Sequence, residues 1–219
     1  MVIAVIPAKG VSSRIPRKNL QIIEGIPLVE WSLRTAKAWE RITRIITITD
    51  DNEIAALAKL YGSEVIPCEK EDTQDAVTTS RRWMKMCKKL PDTDTALFQP
   101  TTPFRTLRSL ESQWAAYEGA DVCISVSKLS KALFDENGVP GLPPEQQLTR
   151  LSQNEPSRFT LEGFCILSRT GYLAEAKHLY EGDVRMFEVG CLESIDIDWP
   201  EDLAFARLIA GVAATQSGY

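Results

Sequence analysis

Between Lys9 and Lys18, within VIAVIPAKGVSSRIPRKNLQ, four cations stand without an acidic residue among them: Lys9, Arg14, Arg17 and Lys18. Phosphate oxygens are natural partners for such groups, arginine through its planar fork and lysine as a compact charge. Gly10, Ser12 and Ser13 add a flexible position and two hydroxyls. The stretch holds neither the G-x-G-x-x-G of dinucleotide sites nor the G-x-x-x-x-G-K-[ST] of a P-loop, so both are poor fits. A triphosphate would answer this density of positive charge. A solvated basic loop is the alternative.

A second signal is ESIDIDWPEDL. On a strand, residues two apart face one side, so Asp196 and Asp198 would point one way and Ile195 and Ile197 the other. Mg²⁺ prefers carboxylate and phosphate oxygens together, and the pair complements the basic loop if both reach one crevice. Asp198 is equally well placed to cap a helix opening at Trp199-Pro200, with Glu201 and Asp202 in its first turn. Asp196, inside an apolar run, needs a partner of some kind. A third stretch, LFQPTTPFRT, sets Gln99, Thr101, Thr102 and Arg105 in a proline-stiffened loop. It is either a turn into the next helix or a reader of base or sugar. The only histidine, His178, lies in EAKHLYEGD, away from all three.

Positioning these stretches falls to alternating β-branched and amphipathic runs. Strands are expected at about 2–6, 44–49, 63–67, 95–99, 121–126, 163–168 and 193–197, and helices at about 27–39, 51–61, 74–89, 106–119 and 199–211. Asp50 with Glu53 resembles a capping box for the second helix, and Gly62 its C-terminal stop. Apolar strands alternating with helices predict an α/β, doubly wound, mainly parallel sheet covered on both faces. Ligands in such folds sit beyond the carboxyl ends of the strands, where the basic loop follows the first strand. The rhythm breaks over about 128–162, around DENGVPGLPPEQQ, which reads as an inserted arm or hairpin in a single domain spanning 1–219.

The chain has 219 residues, 44% hydrophobic, and a formal charge of −5, which argues against a duplex nucleic-acid binder. No signal peptide and no bilayer-length apolar run is expected. Five widely spaced cysteines read as reduced core residues of a cytoplasmic protein. The five tryptophans are expected to serve packing.

IPAKGVSSRIPRKNL, ITDDNEIAALAKLYGSEV, QDAVTT, LFQPTTPFRT and ESIDIDWPEDLAFA follow one another in an order and spacing that resemble the acylneuraminate cytidylyltransferases, the CMP-sialic acid synthetase family. The likeness covers most of 1–126 and 185–210. It implies a nucleotidyltransferase of glycosyltransferase-A-like fold that uses Mg²⁺ and CTP to make a CMP-sugar from an acidic sugar. It also implies a homodimer joined through the arm. Carried over by position, Ala8, Lys9, Gly10, Ser12, Ser13 and Asn19 would line the CTP phosphates, with Lys18 beside the α-phosphate and Arg14 on the outer ones. Thr79 would lie near the cytidine, and Gln99, Thr101, Arg105 and Arg158 near the acceptor. Asp196 and Asp198 would hold the metal. Arg17, by its place in the loop and not by the resemblance, is expected to face solvent.

The chain departs from that pattern where Lys9 and Cys68 replace arginines and Ser13 a lysine. RFTLEG stands for an Arg-Pro-Asn-Gly element, so Arg158 is displaced and Glu162 takes the place of asparagine. A His-Pro element is missing from SVSKLSKALF. The phosphate half is retained and the acceptor half altered. A Kdo-type sugar or phosphonate acceptor, or a catalytically weak nucleotide-binding protein on this fold, are the alternative readings.

Overall fold

In the computed structural model the described residues are 1–68, 79–129 and 158–217. Seven strands form one sheet in the order β5-β4-β1-β6-β8-β7-β9: β1 Val2–Pro7, β4 Ile42–Thr49, β5 Glu64–Pro67, β6 Asp94–Leu97, β7 Val122–Leu129, β8 Arg158–Arg169 and β9 Val184–Glu188. A small hairpin, β2 Ile22–Ile23 with β3 Ile26–Pro27, stands apart from it. Only β8 runs against its neighbours, pairing antiparallel with both β6 and β7. The expected mainly parallel α/β sheet is therefore present.

Both faces are covered. Ala4, Ile6, Ala96, Phe98 and Leu167 pack with Leu33 and Trp39 near α1 (Leu28–Ala38), Ile54 and Ala58 of α2 (Asn52–Leu60) and Leu110 of α4 (Leu107–Tyr117). Ile3, Val5, Leu97, Ile124 and Ile166 pack on the other face with Trp83 of α3 (Thr79–Cys87) and Leu173 of α5 (Thr170–Glu175). A third cluster joins Ile15, Ile23, Trp31, Phe104 and Ile197 to Leu203 and Ala206 of α6 (Pro200–Ser217). Burial raises the thiol pKa of Cys87 to about 12 and of Cys123 to about 11, and the five cysteines form no disulfide.

Two sequence expectations are corrected. Residues 193–197 make no strand; β9 at Val184–Glu188 is the strand the sequence hid. An edge strand pairs on one side only, so Arg185 and Glu188 are tolerated there and blur the apolar signal. The N-cap of α2 is Asp51, whose side chain accepts from the Glu53 and Ile54 amides, and not Asp50. Gly62 does end that helix, at φ 74°. Of the arm or hairpin expected at 128–162 only the flanks are described, where β7 continues to Leu129 and β8 begins antiparallel to it at Arg158. Residues 130–157 lie outside the described residues.

Candidate active site

The basic loop leaves β1 at the carboxyl edge, where the Ala8 amide donates to the Ile48 carbonyl at 2.8 Å. Strand β4 ends beside it and offers Asp50 and Asp51. The Gly10 amide donates to Asp50 Oδ1 at 2.7 Å. Gly10 also passes so close to Asp51 that an added Cβ would lie 2.7 Å from the Asp51 Cβ, which no larger residue tolerates. The buried Asn19 amide donates to the Lys9 carbonyl at 2.8 Å and closes the neck of the loop.

Arg17 departs from the expectation of a merely solvated side chain. Its backbone is left-handed, at φ 50°, a conformation disfavoured for residues with a Cβ. Its guanidinium straps the loop to Asp51 at 3.3 Å and Glu53 at 2.8 Å. Lys9 makes no ion pair among the described residues.

Asp198 receives the other two cations. Arg14 Nη2 and Lys18 Nζ each lie 3.0 Å from its Oδ1. Lys18 also donates to the Ile197 carbonyl at 2.8 Å, so its ammonium is fixed from two sides. The Arg14 guanidinium lies 5.0 Å from the centre of the Trp199 ring, a cation–π contact. Trp199 is the tryptophan that departs from a packing role, since more than half of it is exposed. The helix-cap reading of Asp198 gives way as well: Asp202 Oδ2 accepts the amides of Asp198 and Trp199, leaving the Asp198 carboxylate to the loop.

Although no ladder forms here, the expected alternation survives. Ile197 is fully buried while Asp196 and Asp198 keep contact with solvent. The Ile197 amide donates to the Thr101 carbonyl at 2.8 Å, which stitches this segment to the Gln99 loop. Asp196 is exposed, beside Thr101 and the Lys18–Asp198 pair. Desolvation there raises its pKa, helped by the charge of Asp198 and opposed by a Thr101 hydrogen bond, Lys18 and Arg105.

Arg105 is not on the surface of the site. It is fully buried and donates to the carbonyls of Gln99 (2.5 Å), Gly163 (3.0 Å) and Phe164, and to Ser32 Oγ at 3.0 Å. The expectation that it binds substrate is corrected on this ground: it braces the Gln99 loop against β8. Gly163 permits that contact, because a Cβ there would come within 2.6 Å of Thr102 Oγ1. Glu193 plays a comparable bracing role, accepting from Thr106 and Ser109 at the start of α4.

The loop, the aspartate pair and Gln99–Thr101 thus meet at one edge. The backbones of Thr79 and Arg158 open α3 and β8, and their side chains fall outside the described residues. His178 follows α5, beyond the far end of antiparallel β8, at the opposite edge of the sheet. Asp51, Trp199 and Gly163 were missed. Asp51 could have been found from two consecutive acids at a strand end, of which only one can cap.

The Cytidylyltransferase family profile matches residues 3–210. A CMP-N,N'-diacetyllegionaminic acid synthase from Legionella pneumophila is 29% identical over 223 residues, covering 94% of each chain. An N-acylneuraminate cytidylyltransferase from Oncorhynchus mykiss is 26% identical over 90% of this chain and 48% of its own length. Among solved structures, a CMP:2-keto-3-deoxy-manno-octonic acid synthetase complexed with CTP superposes with a TM-score of 0.74 at 18% identity, over 96% of this chain and 98% of the other. At that identity the likeness speaks for the fold.

Proposed function

The chain belongs to the cytidylyltransferase family, and from that premise we propose that it transfers CMP from CTP to an acidic sugar of the nonulosonic class, releasing pyrophosphate. The observation that carries this reading is the meeting of Arg14 and Lys18 with Asp198 beside the Gln99–Thr101 loop. The Legionella relative, matched over nearly its full length, supports a nonulosonic acceptor over a Kdo-type one.

In the proposed reaction an acceptor hydroxyl oxygen forms a bond to the α-phosphorus as the bond to the pyrophosphate oxygen breaks in line. The hydroxyl proton leaves to solvent. Arg14 would hold the outer phosphates, exchanging Asp198 for phosphate oxygens. Lys18, fixed by the Ile197 carbonyl, would follow charge developing on the α-phosphoryl oxygens. Gly10, Ser12 and Ser13 would line the phosphate chain, Thr79 the cytidine side, and Gln99 and Thr101 the acceptor. Asp196 and Asp198 fit a divalent ion by chemistry, two hard carboxylates beside a phosphate-binding loop, and Mg²⁺ is the ion proposed. Bound there, it would neutralise phosphate charge and acidify the attacking hydroxyl. A homodimer is proposed too, in keeping with Phe159 and Leu161, apolar and exposed on β8 within the stretch expected to form the arm. Free cysteines accord with a cytoplasmic setting, and no helix among the described residues is long and apolar enough to cross a membrane.

Thermal-shift titrations with the four nucleoside triphosphates and Mg²⁺ test the base, and CTP should stabilise most. Pyrophosphate release with a panel of nonulosonic acids, Kdo and phosphonates tests the acceptor. Equal shifts for all four nucleotides, or no release with any acid, would defeat the reading.

A further inference from the structure

The basic loop stands on two consecutive acids. Its first limb is fixed where the Gly10 amide donates to Asp50 Oδ1 at 2.7 Å, and its second where Arg17 Nη2 donates to Asp51 Oδ2 at 3.3 Å and to Glu53 Oε2 at 2.8 Å. Asp51 divides its oxygens. Oδ1 accepts the Glu53 and Ile54 amides at 2.8 and 3.1 Å, which caps α2, and Oδ2 is left to the loop. The start of α2 is thus a common footing for both ends of the arch from Gly10 to Arg17.

Arg17 is also where the backbone turns. At φ 50° and ψ 44° it is left-handed, and its carbonyl accepts the Leu20 amide at 2.9 Å as the 3₁₀ turn of Lys18–Leu20 begins. Across this turn the side chains part: Arg17 goes to α2, while Lys18 goes to the Ile197 carbonyl at 2.8 Å and Asp198 at 3.0 Å. A residue with a Cβ enters the left-handed region against a steric penalty and stays there only when its surroundings hold it. The contacts to Asp51 and Glu53 are partly exposed and weak singly, but the penalty they oppose is small as well.

We infer that Arg17 is a positioning residue: its guanidinium, tied to Asp51 and Glu53, holds the left-handed turn that aims the Lys18 ammonium. This rests on the cytidylyl-transfer reading given above. A side chain that touches no substrate then governs how well Lys18 meets the charge developing on the α-phosphoryl oxygens, and its loss is felt in the transition state more than in CTP binding.

The test is steady-state pyrophosphate release with CTP, Mg²⁺ and the nonulosonic acid that the acceptor panel selects. Arg17→Ala should lower kcat by roughly tenfold or more, the scale of a misplaced catalytic group, with the KM for CTP and the melting temperature little changed. Arg17→Gly loses the same contacts, but glycine adopts this φ without penalty and should recover much of the lost kcat. Arg17→Lys, which keeps the charge, should recover part of it. The double variant Asp51→Asn/Glu53→Gln, which keeps an accepting oxygen for the α2 amides, should reproduce the Arg17→Ala defect, and adding Arg17→Ala to it should cost nothing further. Full kcat in Arg17→Ala would overturn the inference. So would a raised KM for CTP at unchanged kcat, which would make Arg17 a phosphate ligand, or equal defects in Arg17→Ala and Arg17→Gly, which would remove the backbone turn from the account. If the wild-type protein releases no pyrophosphate with any acid, the proposed activity itself fails and takes the inference with it.

Discussion

The two halves of the site handle charge in opposite ways. On the phosphate side every described ion pair joins a loop cation to a carboxylate from elsewhere, Arg14 and Lys18 to Asp198 and Arg17 to Asp51 and Glu53. Most of these groups touch water, so the pairs are weak and exchangeable. On the proposed acceptor side, Arg105 is spent on carbonyls and on Ser32, out of reach of solvent. Exchangeable pairs suit a region that must trade its partners for phosphate oxygens. Fixed neutral partners suit a region that must hold one shape.

The largest effect that would sharpen this contrast is expected at Asp196. Asp196→Asn should abolish turnover while the melting temperature does not fall, because desolvation already penalises the carboxylate and the amide keeps an oxygen for the Thr101 hydrogen bond. Retained activity in a pyrophosphate assay would remove Asp196 from the chemistry.

Arg105 should behave in the reverse manner. Arg105→Met leaves three carbonyls and a serine without their donor and should cost roughly 3 kcal/mol or more of stability, read in urea unfolding. A small stability loss with a large rise in acceptor KM would restore it as a substrate-binding residue and erase the distinction.

Within the phosphate half the two cations on Asp198 should separate. Lys18→Ala is expected to lower kcat about a hundredfold, on the scale of a lost oxyanion-type donor. Arg14→Ala should mainly raise the KM for CTP, by about tenfold. Steady-state kinetics on both variants would break the ranking if their effects were interchanged.

The smallest effect is a matter of acid stability. Asp51 feels desolvation, but the amides of Ile54 and Glu53 and the Arg17 guanidinium outweigh it and hold its pKa below the ordinary aspartate value. The unfolded chain therefore takes up that proton first. The stabilisation is complete above the ordinary aspartate range near pH ~4 and fades as pH falls below it. Asp51→Ala should cost about 1 kcal/mol at neutral pH, as lost caps do, and flatten the acid limb of a melting curve between about pH 4 and 2.

The sequence by itself determined the parts whose physics is local. The sheet's central strands are continuous apolar runs and could hardly be anything else; the loop's charge is written in consecutive letters. The Asp-Ile-Asp alternation also held, since burying Ile197 turns its neighbours outward with or without a ladder. Tertiary structure decided which charge meets which. Asp198 was free to cap its helix until Asp202 took those amides, and Arg105 looked like a ligand group until β8 supplied carbonyls from some sixty positions away. Edge strand β9, half exposed and mixed in charge, had no periodicity to betray it. Partner choice depends on chain segments far apart in sequence, and on which of several competing donors desolvation makes unaffordable to leave unpaired.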